Sequence, residues 1–400
     1  MLNEAPIKYK KSTHRTNLPE ETLDKISDIT MDIGLTRTSK ITHLDRLNIP
    51  VYTSVRPLAD EGAVSVYAGK GPTDIHAKVS SIMEAIERYS AEQQESDEKI
   101  IKRYDPADCL NPEELILPKD TYHDEELEWT KAVSIKTGDE IYVPSNAVYH
   151  PYNSKNIHHI HLSNTNGLAS GNELEEAIFH GMMEVVERDA WSFFEVYKEE
   201  KAEINCQDTD NEYIRKLLDK FERNNVSIKL LDLTIENEIP TIAAVSEDLT
   251  LKDPALLTLG IGTHLDPDIA AIRAITEVAQ SRATQIHGTR EDTTRANLLR
   301  QTGYERMKRL NKHWFRKSSE TINLEDIPDR SSDSFRKDIE ITMKLLEKSG
   351  ITDAYYVDLT REIGIPVVRV IIPEMEVYSV DTSRIGRRLK EKNPLAGSII

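Results

Sequence analysis

Cysteine is nearly absent: Cys109 and Cys206 are the only two in 400 residues. Two thiols exclude a disulfide scaffold and a four-thiolate metal site, and they suit a reducing compartment. No apolar run approaches the length that crosses a bilayer. The first residues, MLNEAPIKYKKSTHR, lack the apolar stretch of a secretion signal, so a cytoplasmic protein is expected. Positive charge is also short, with 51 Lys and Arg against 69 Asp and Glu, a net −18. Such a surface repels phosphate backbones and anionic lipid, so neither nucleic acid nor membrane is an expected partner. The basic segment SRIGRRLKEK near the C-terminus reads as a solvated helix face, with an anion contact as the alternative. No Gly/Ser-rich or Pro-rich linker divides the chain. Residues 1–20 are expected to form a flexible tail, and residues 21–400 a single unit.

What the sequence does contain is repetition. Three stretches share Leu-Asp or Val-Asp, a short polar segment, Ile-Pro and a β-branched run: HLDRLNIPVYTSVRP from His43, LLDLTIENEIPTIAAVSED from Leu230, and YVDLTREIGIPVVRVIIPE from Tyr356. Proline cannot donate to a ladder, so each Ile-Pro predicts the start of a strand. Three further stretches align as helices on Glu84, Glu184 and Glu277, with Ala77, Ala177 and Ala270 upstream and Glu87, Glu187 and Gln280 downstream. The small residues Ser81, Gly181 and Ala274 coincide as well. Glycines precede each helix: Gly69 and Gly71, Gly167 and Gly171, Gly260 and Gly262. The unit reads as glycine loop, then helix, and the repeats suggest related helices gathered round a shared centre. The expected fold is α+β, mixed sheets backed by helices. REDTTRANLLRQTGYERMKRLNKHW is expected as a peripheral helix pair and SSETINLEDIPDRSSDS as a loop.

Spacings of three and four put side chains on one helix face. Glu84 therefore neighbours Glu87, Glu184 neighbours Glu187 and Arg188, and Arg273 neighbours Glu277 and Gln280. Glu176 lies two turns before Glu184. A solvated stripe of ion pairs is the plain reading. Two observations weigh against it. Carboxylates three apart repel each other, and the rest of each helix is apolar (Ile82, Ala85 and Ile86; Met182, Val185 and Val186; Ile272, Ile275 and Val278). Helices this apolar are buried, and buried carboxylates need partners or cations. Mg2+ takes oxygen ligands and bridges carboxylates to phosphates. Glycine loops at helix starts would add backbone N–H groups for an anion. AGKGPTD places Lys70 between two glycines, but it is not a Walker A motif, and GIGTHLD lacks the third glycine of a dinucleotide fingerprint.

His150, His158, His159 and His161 crowd one region without a nearby cysteine, and ordinary strand or loop histidines are expected over a metal site. Cys109 and Cys206 stand in polar segments that read as exposed. Neighbouring Asp and Glu would raise their thiol pKa, so inert thiols are expected over a sulfur relay. Asp189 reads as a structural partner.

The block Ser80-x-x-x-Glu84-x-x-Glu87-Arg88, then TNGLASGNELEEAIFHGMMEVVERDA, then HLDPDIAAIRAITEVAQSR resemble the three signature blocks of the YcaO superfamily, over about Arg37 to Pro373. The resemblance implies ATP and Mg2+ bound between converging helices and ATP-driven activation of a peptide amide. It implies Lys70, Ser80, Glu84, Glu87, Glu176, Glu184, Glu187, Arg188, Arg273 and Gln280 around the nucleotide. Glu84, Glu87, Glu184, Glu187 and Glu277 would serve the metal, and Arg188 and Arg273 the transferring phosphoryl group. The nucleophile divides the family: a substrate side chain gives an azoline, external sulfide a thioamide. Azoline formers often end in Pro-x-Pro-x-Pro, whereas this chain ends KEKNPLAGSII. It resembles the archaeal branch associated with thioglycine in the α subunit of methyl-coenzyme M reductase. Thioamidation is therefore expected, with a peptide cyclodehydratase or a non-catalytic ATP-binding protein as alternatives. A homodimer and a sulfur source, either free sulfide or a TfuA-type partner, are the further expectations.

Overall fold

Each sequence repeat builds the same unit, three antiparallel strands with a helix laid across them. A computed structural model describes residues 2–288 and 295–392. The first unit contains β1 (Arg37–Lys40), β2 (Val51–Val55), β3 (Val66–Lys70) and α1 (Asp74–Ala91). Next along the chain come β4 (Leu168–Ser170) and α2 (Leu174–Tyr197). A second complete unit follows: β5 (Val226–Asp232), β6 (Thr241–Asp248), β7 (Thr258–Thr263) and α3 (Pro267–His287). The last strands are β8 (Tyr355–Asp358) and β9 (Val367–Ile371). Strand order is β1-β2-β3 in one sheet, β5-β6-β7 in another and β8-β9-β4 in the third. The third unit is thus permuted: its hairpin is synthesised last, its glycine strand and helix near the middle.

Pro50, Pro240 and Pro366 each stand immediately before β2, β6 and β9, as their missing N–H requires. In the second and third hairpins the repeated aspartate closes the turn: Asp232 accepts from Thr234 N–H and Asp358 from Thr360 N–H, each at 2.9 Å. Asp45, its counterpart in the first unit, instead accepts from the buried Arg282 of α3 at 2.8 Å. The second sheet extends through Glu203–Asn205 to Thr321–Asn323, which pair in parallel and make it mixed. The third extends through Leu127–Ser134 to Ile100–Lys102, with Glu140–Pro144 also on Leu127–Ser134.

The apolar faces predicted for the helices are the ones that bury. Ile82, Ala85 and Ile86 of α1 pack with Trp129, Val357 and Val367. Ile178, Met182 and Val185 of α2 pack with Val368, Val370 and Phe335. Ile272, Ile275 and Val278 of α3 pack with Leu230, Ile242 and Phe221. At about 1.5–3 kcal/mol per fully buried aliphatic side chain, these faces fix each helix to its sheet. Each helix also touches the glycine-bearing strand of a neighbouring unit: α1 meets β4, α2 meets β7, and α3 meets β3. The three units therefore close on one another in a ring, with the helices at the middle.

Gly69, Gly260 and Gly262 lie inside strands β3 and β7, not in anion-binding loops as the sequence suggested. Their role is close approach. A Cβ on Gly69 would lie 2.0 Å from Ser81 N, and one on Gly262 2.2 Å from Ala270 O. Both neighbours belong to the helix above, which explains why small residues recur at Ser81 and Ala274. Gly262→Ala is expected to cost about 3 kcal/mol or more of folding free energy, because backbone cannot yield as a side-chain end can. Urea unfolding measures this; a variant within 0.5 kcal/mol of the parent, roughly the range of neutral surface changes, would contradict it.

Residues 2–20, expected to be a flexible tail, instead form a strap against the body. Tyr9–Lys10 pairs with His14–Arg15, Ile7 N–H donates to Asp333 O at 3.0 Å, and Pro19–Ser27 is a helix. Short buried anchors hold the strap, which composition cannot reveal. Cys109 and Cys206 are buried, contrary to the exposed placement expected, and burial pushes both thiols up, Cys206 to about 12. Of the expected peripheral helix pair, Arg295–Thr302 and Tyr304–Leu310 are helices, while residues 290–294 lie outside those described. The expected loop holds the edge strand Thr321–Asn323. Among the described residues, no helix is long and apolar enough to cross a membrane.

Candidate active site

Where α1, α2 and α3 meet, the ring encloses a cavity of ≈ 570 Å³. That volume lies within the range of small-ligand sites. All the residues predicted for the site line it: Lys70 at the end of β3; Ser80, Glu84 and Glu87 on α1; Glu176, Glu184, Glu187 and Arg188 on α2; Arg273, Glu277 and Gln280 on α3. The inward stripe is equivalent on the three helices. Ser80, His180 and Arg273 occupy one level, Glu84, Glu184 and Glu277 the next, and Glu87, Glu187 and Gln280 the third.

The third level ties units together. Glu87 accepts from Ser170 N–H at 3.1 Å and Ser170 Oγ–H at 2.7 Å, on β4. Gln280 donates through Nε2 to Ala68 O on β3. The corresponding Glu187 has a buried oxygen, Oε2, without a partner. Two of these three side chains are thus engaged with a neighbouring strand, whereas Glu187 buries a carboxylate oxygen without a partner.

Cations interleave with the carboxylates. Arg88 donates to Glu84 at 2.9 Å, Lys70 to Glu277, and Arg188 stands 3.9 Å from Glu187. Burial raises the Glu187 carboxyl to about 7; Glu277 adds to the rise and Arg188 opposes it. Burial and the adjacent Glu84 raise Glu87 to about 8, and burial raises Glu184. Burial alone would raise Glu277 too, but Lys70 and Arg188 outweigh it and hold that carboxyl down. Burial, more than unbalanced charge, is therefore what opposes ionisation of Glu87, Glu184 and Glu187, and a bound cation would favour it. Arg273 Nε is buried without a partner, a donor available to an anion.

These features fit a hard cation and a polyphosphate together. The donors are all carboxylate oxygens, one is orphaned, and their ionisation is opposed mainly by burial and mutual repulsion. Among the described residues no three of His, Cys, Asp and Glu stand together as a ready-made metal site. An open arrangement suits Mg2+, which keeps waters and shares ligands with phosphates.

Glu176 is differently employed. It accepts from Thr16 N–H at 2.9 Å, Thr16 Oγ–H at 2.8 Å and Asn172 Nδ2 at 3.2 Å, and lies 3.7 Å from Arg15. Its carboxylate anchors the strap, which supplies Ser12, Arg15 and Asn17 to the cavity wall. The sequence reading missed this wall, and it missed Arg15, His180 and Arg88 among the lining residues. His180 carried a usable signal, since on α2 it holds the position that Ser80 has on α1 and Arg273 on α3. Arg15 carried none. The histidines near residue 150 lie elsewhere: His150 meets Ser163 Oγ at 3.1 Å, and His161 meets Leu162 O at 2.9 Å.

The strap is seated on neutral imidazoles. His14 packs edge-on against His264 at 4.7 Å. Burial, reinforced by Lys10, lowers His14 to about 4; burial, with Arg15, lowers His76 to about 4; His264 is also held well below its ordinary value, chiefly by burial. These pKa values lie below the unfolded value of 6.5, so the stability they contribute is full above pH 6.5. It is lost as pH falls toward about 4. Hydrogen-exchange protection factors of residues 8–16 are expected to fall across that window; protection unchanged from pH 7 to 4.5, a span about the size of that shift, would contradict the assignment.

A family model described as YcaO cyclodehydratase, ATP- and Mg2+-binding, matches residues 68–376. An uncharacterized protein of Methanothermobacter thermautotrophicus is 56% identical over 373 residues, 93% of this chain and 97% of that protein. A Rhizobium leguminosarum protein named for its place in the tfuA 3' region is 30% identical over 390 residues, 91% of this chain and 89% of that protein. The structure of YcaO from Methanopyrus kandleri bound with AMPPCP and Mg2+ aligns with a TM-score of 0.79 at 31% identity, over 96% of this chain and 98% of that one. A heterocyclase in complex with substrate and cofactor aligns with a TM-score of 0.80 at 25% identity. That alignment spans 92% of this chain and 54% of the heterocyclase.

Proposed function

The chain belongs to the YcaO family of ATP- and Mg2+-binding proteins, and on that premise we propose that it converts a peptide backbone amide to a thioamide, using ATP and sulfide. The observation that carries the reading is the three-helix cavity, whose lining includes a carboxylate with an orphaned oxygen, Glu187, suited to a cation, and a guanidinium with an orphaned N–H, Arg273, suited to a polyphosphate. Glu84, Glu184, Glu187 and Glu277 are the residues that would hold Mg2+, with Glu87 positioned by Ser170. Lys70, Ser80, Arg15 and Gln280 shape the nucleotide pocket. Residues 21–400, with the strap in place, act as one catalytic unit.

The chemistry follows from the poor leaving ability of an amide oxygen. Hydrosulfide adds to the carbonyl carbon and forms the C–S bond. The resulting oxyanion takes the γ-phosphoryl group of ATP, releasing ADP. The C–O bond then breaks, the former amide oxygen departs as inorganic phosphate, and the sulfur proton is lost to leave C=S. Arg188 and Arg273 stabilise charge on the phosphoryl group in flight. Bound Mg2+ would supply charge neutralisation at the phosphates.

Sulfide is favoured over a substrate side chain by the kinship. Alignment with the Methanopyrus YcaO runs nearly end to end, whereas the heterocyclase has almost as much chain again. The relatives include a protein of a methanogenic archaeon and one beside tfuA, which suits the methyl-coenzyme M reductase α subunit as substrate and a TfuA-type protein as sulfur carrier. A cytoplasmic homodimer remains our expectation for the working form. The test is reconstitution of the full chain with ATP, Mg2+, sulfide and a peptide of that subunit, read by mass spectrometry. Oxygen-for-sulfur exchange supports thioamidation. Loss of water would overturn it in favour of azoline formation, and ATP binding without phosphate release would overturn catalysis.

A further inference from the structure

A second, smaller cavity of ≈ 60 Å³ lies behind α2, lined by His161, Asn164, Asn166, Val185, Arg369 and Arg384 among others. It is separated from the main cavity by one loop: Asn164 and Asn166 face the small cavity while Thr165, between them, lines the large one. Val185 follows Glu184 on α2 and likewise places the two cavities on either side of that helix.

The pocket's one carboxylate, Glu114, is pushed toward its neutral form by burial and by Glu374, which leaves the charge of this pocket with its arginines. Arg369 and Arg384 are 2% and 4% exposed, and among the described residues neither forms an ion pair. Their printed partners are neutral carbonyls. Arg369 donates to Ala147 O at 2.9 Å and Asn164 O at 2.6 Å; Arg384 donates to Ile116 O at 2.7 Å and Leu115 O at 2.6 Å. The remaining edge of Arg369, at Nη1, is buried and unpartnered, and so is Asn166 Oδ1. Turning the Asn166 amide over would present its NH2 to the same space, an exchange that leaves its shape unchanged. His161 is neutral, since burial lowers it to about 3. Burial depresses Arg369 to about 9, and Arg88 and Arg384 add to the fall against Glu184. Two buried guanidiniums without a counter-ion are costly, and a small anion removes the cost.

The walls narrow the choice. Val185, Val370, Ile372, Met375 and Val377 are apolar, and the space admits only a few heavy atoms. A strongly hydrated or multiply charged anion would lose too much water here. We propose that the Arg369–Arg384 pocket binds a small, weakly hydrated monovalent anion, and that hydrosulfide is its occupant beside the active site. The anion site stands on the geometry; its occupant rests on the thioamidation reading.

The probe is bromide, which matches hydrosulfide in charge and approximate size. Crystals of the full chain soaked in sodium bromide should show anomalous density within hydrogen-bond distance of Arg369 Nη1. Asn166→Asp, which puts a carboxylate into the pocket, should remove it. Absence of bromide from the parent chain, or equal density in N166D, would overturn the site. In the thioamidation assay N166D should raise the KM for sulfide about tenfold with little change in the KM for ATP, and bromide should compete with sulfide. Bromide bound at Arg369 without either effect would overturn hydrosulfide as occupant. No thioamide at any sulfide concentration would overturn the functional reading, while the bromide density would still decide the anion site.

Discussion

Glu187→Gln is expected to reduce peptide-dependent phosphate release by about 10³-fold or more, the scale on which electrostatic groups at a phosphoryl-transfer site act. The substitution preserves shape and removes one charge. Glu187 is 3% exposed, has an oxygen with no partner, and stands between Arg188 and Glu277. Glu87 and Gln280, at the same level, are tied to a neighbouring strand, and Glu187 is the one with a buried orphan oxygen. The fold should survive. The folded pKa of Glu187 is raised to about 7 from 4.5, so it favours folding below the lower value and loses that contribution as pH rises through the upper one. At pH 8, above that folded pKa by roughly one unit, the ionised carboxylate opposes folding and the amide does not. The variant without Mg2+ should therefore melt no lower than the parent at that pH. Phosphate release at the parent rate would remove Glu187 from the site, and a fall in melting temperature would make it a structural residue.

Glu176→Ala is expected to raise the KM for ATP about 10²-fold, equivalent to about 3 kcal/mol, by releasing the strap. The sequence placed Glu176 at the nucleotide. The structure instead gives its oxygens to Thr16, Asn172 and Arg15. Truncation leaves those buried donors unpaired, and Ser12, Arg15 and Asn17 lose their positions on the cavity wall. Deletion of residues 2–17 should reproduce the KM change, and trypsin should cut at Arg15 in the Glu176 variant. A raised KM with Arg15 still protected would restore Glu176 as a direct nucleotide ligand.

The helices were legible because their chemistry is periodic. Carboxylates at spacing three among Ile, Val and Ala announce both a buried face and a polar seam, and the seam is where the cavity lies. The strands after Pro50, Pro240 and Pro366 were legible for an equally local reason, the missing N–H. Gly69, Gly260 and Gly262 were seen but misassigned. A helix lying within a Cβ radius of a strand and a loop cradling an anion leave the same letter, and only the contact of Gly69 with Ser81 separates them. The strap and the second cavity were not legible. Thr16 reaches Glu176 across 160 positions, and Arg369 reaches Ala147 across 222. Pairings so distant leave no periodic trace. The cysteines were misplaced because acidic neighbours in sequence were taken for solvent in space.

The permuted third unit has a consequence for how the protein matures on the ribosome. Strand β4 and helix α2 are made early, but their hairpin, β8 and β9, ends at Ile371. Until that hairpin emerges, β4 has an open edge and the Val185 face of α2 has no sheet beneath it. A nascent chain stopped between His287 and Ile371 thus holds two finished units and a gap. The Leu168–Ser170 wall of the cavity is then unsupported, so nucleotide binding is expected only once β9 has emerged and paired with it.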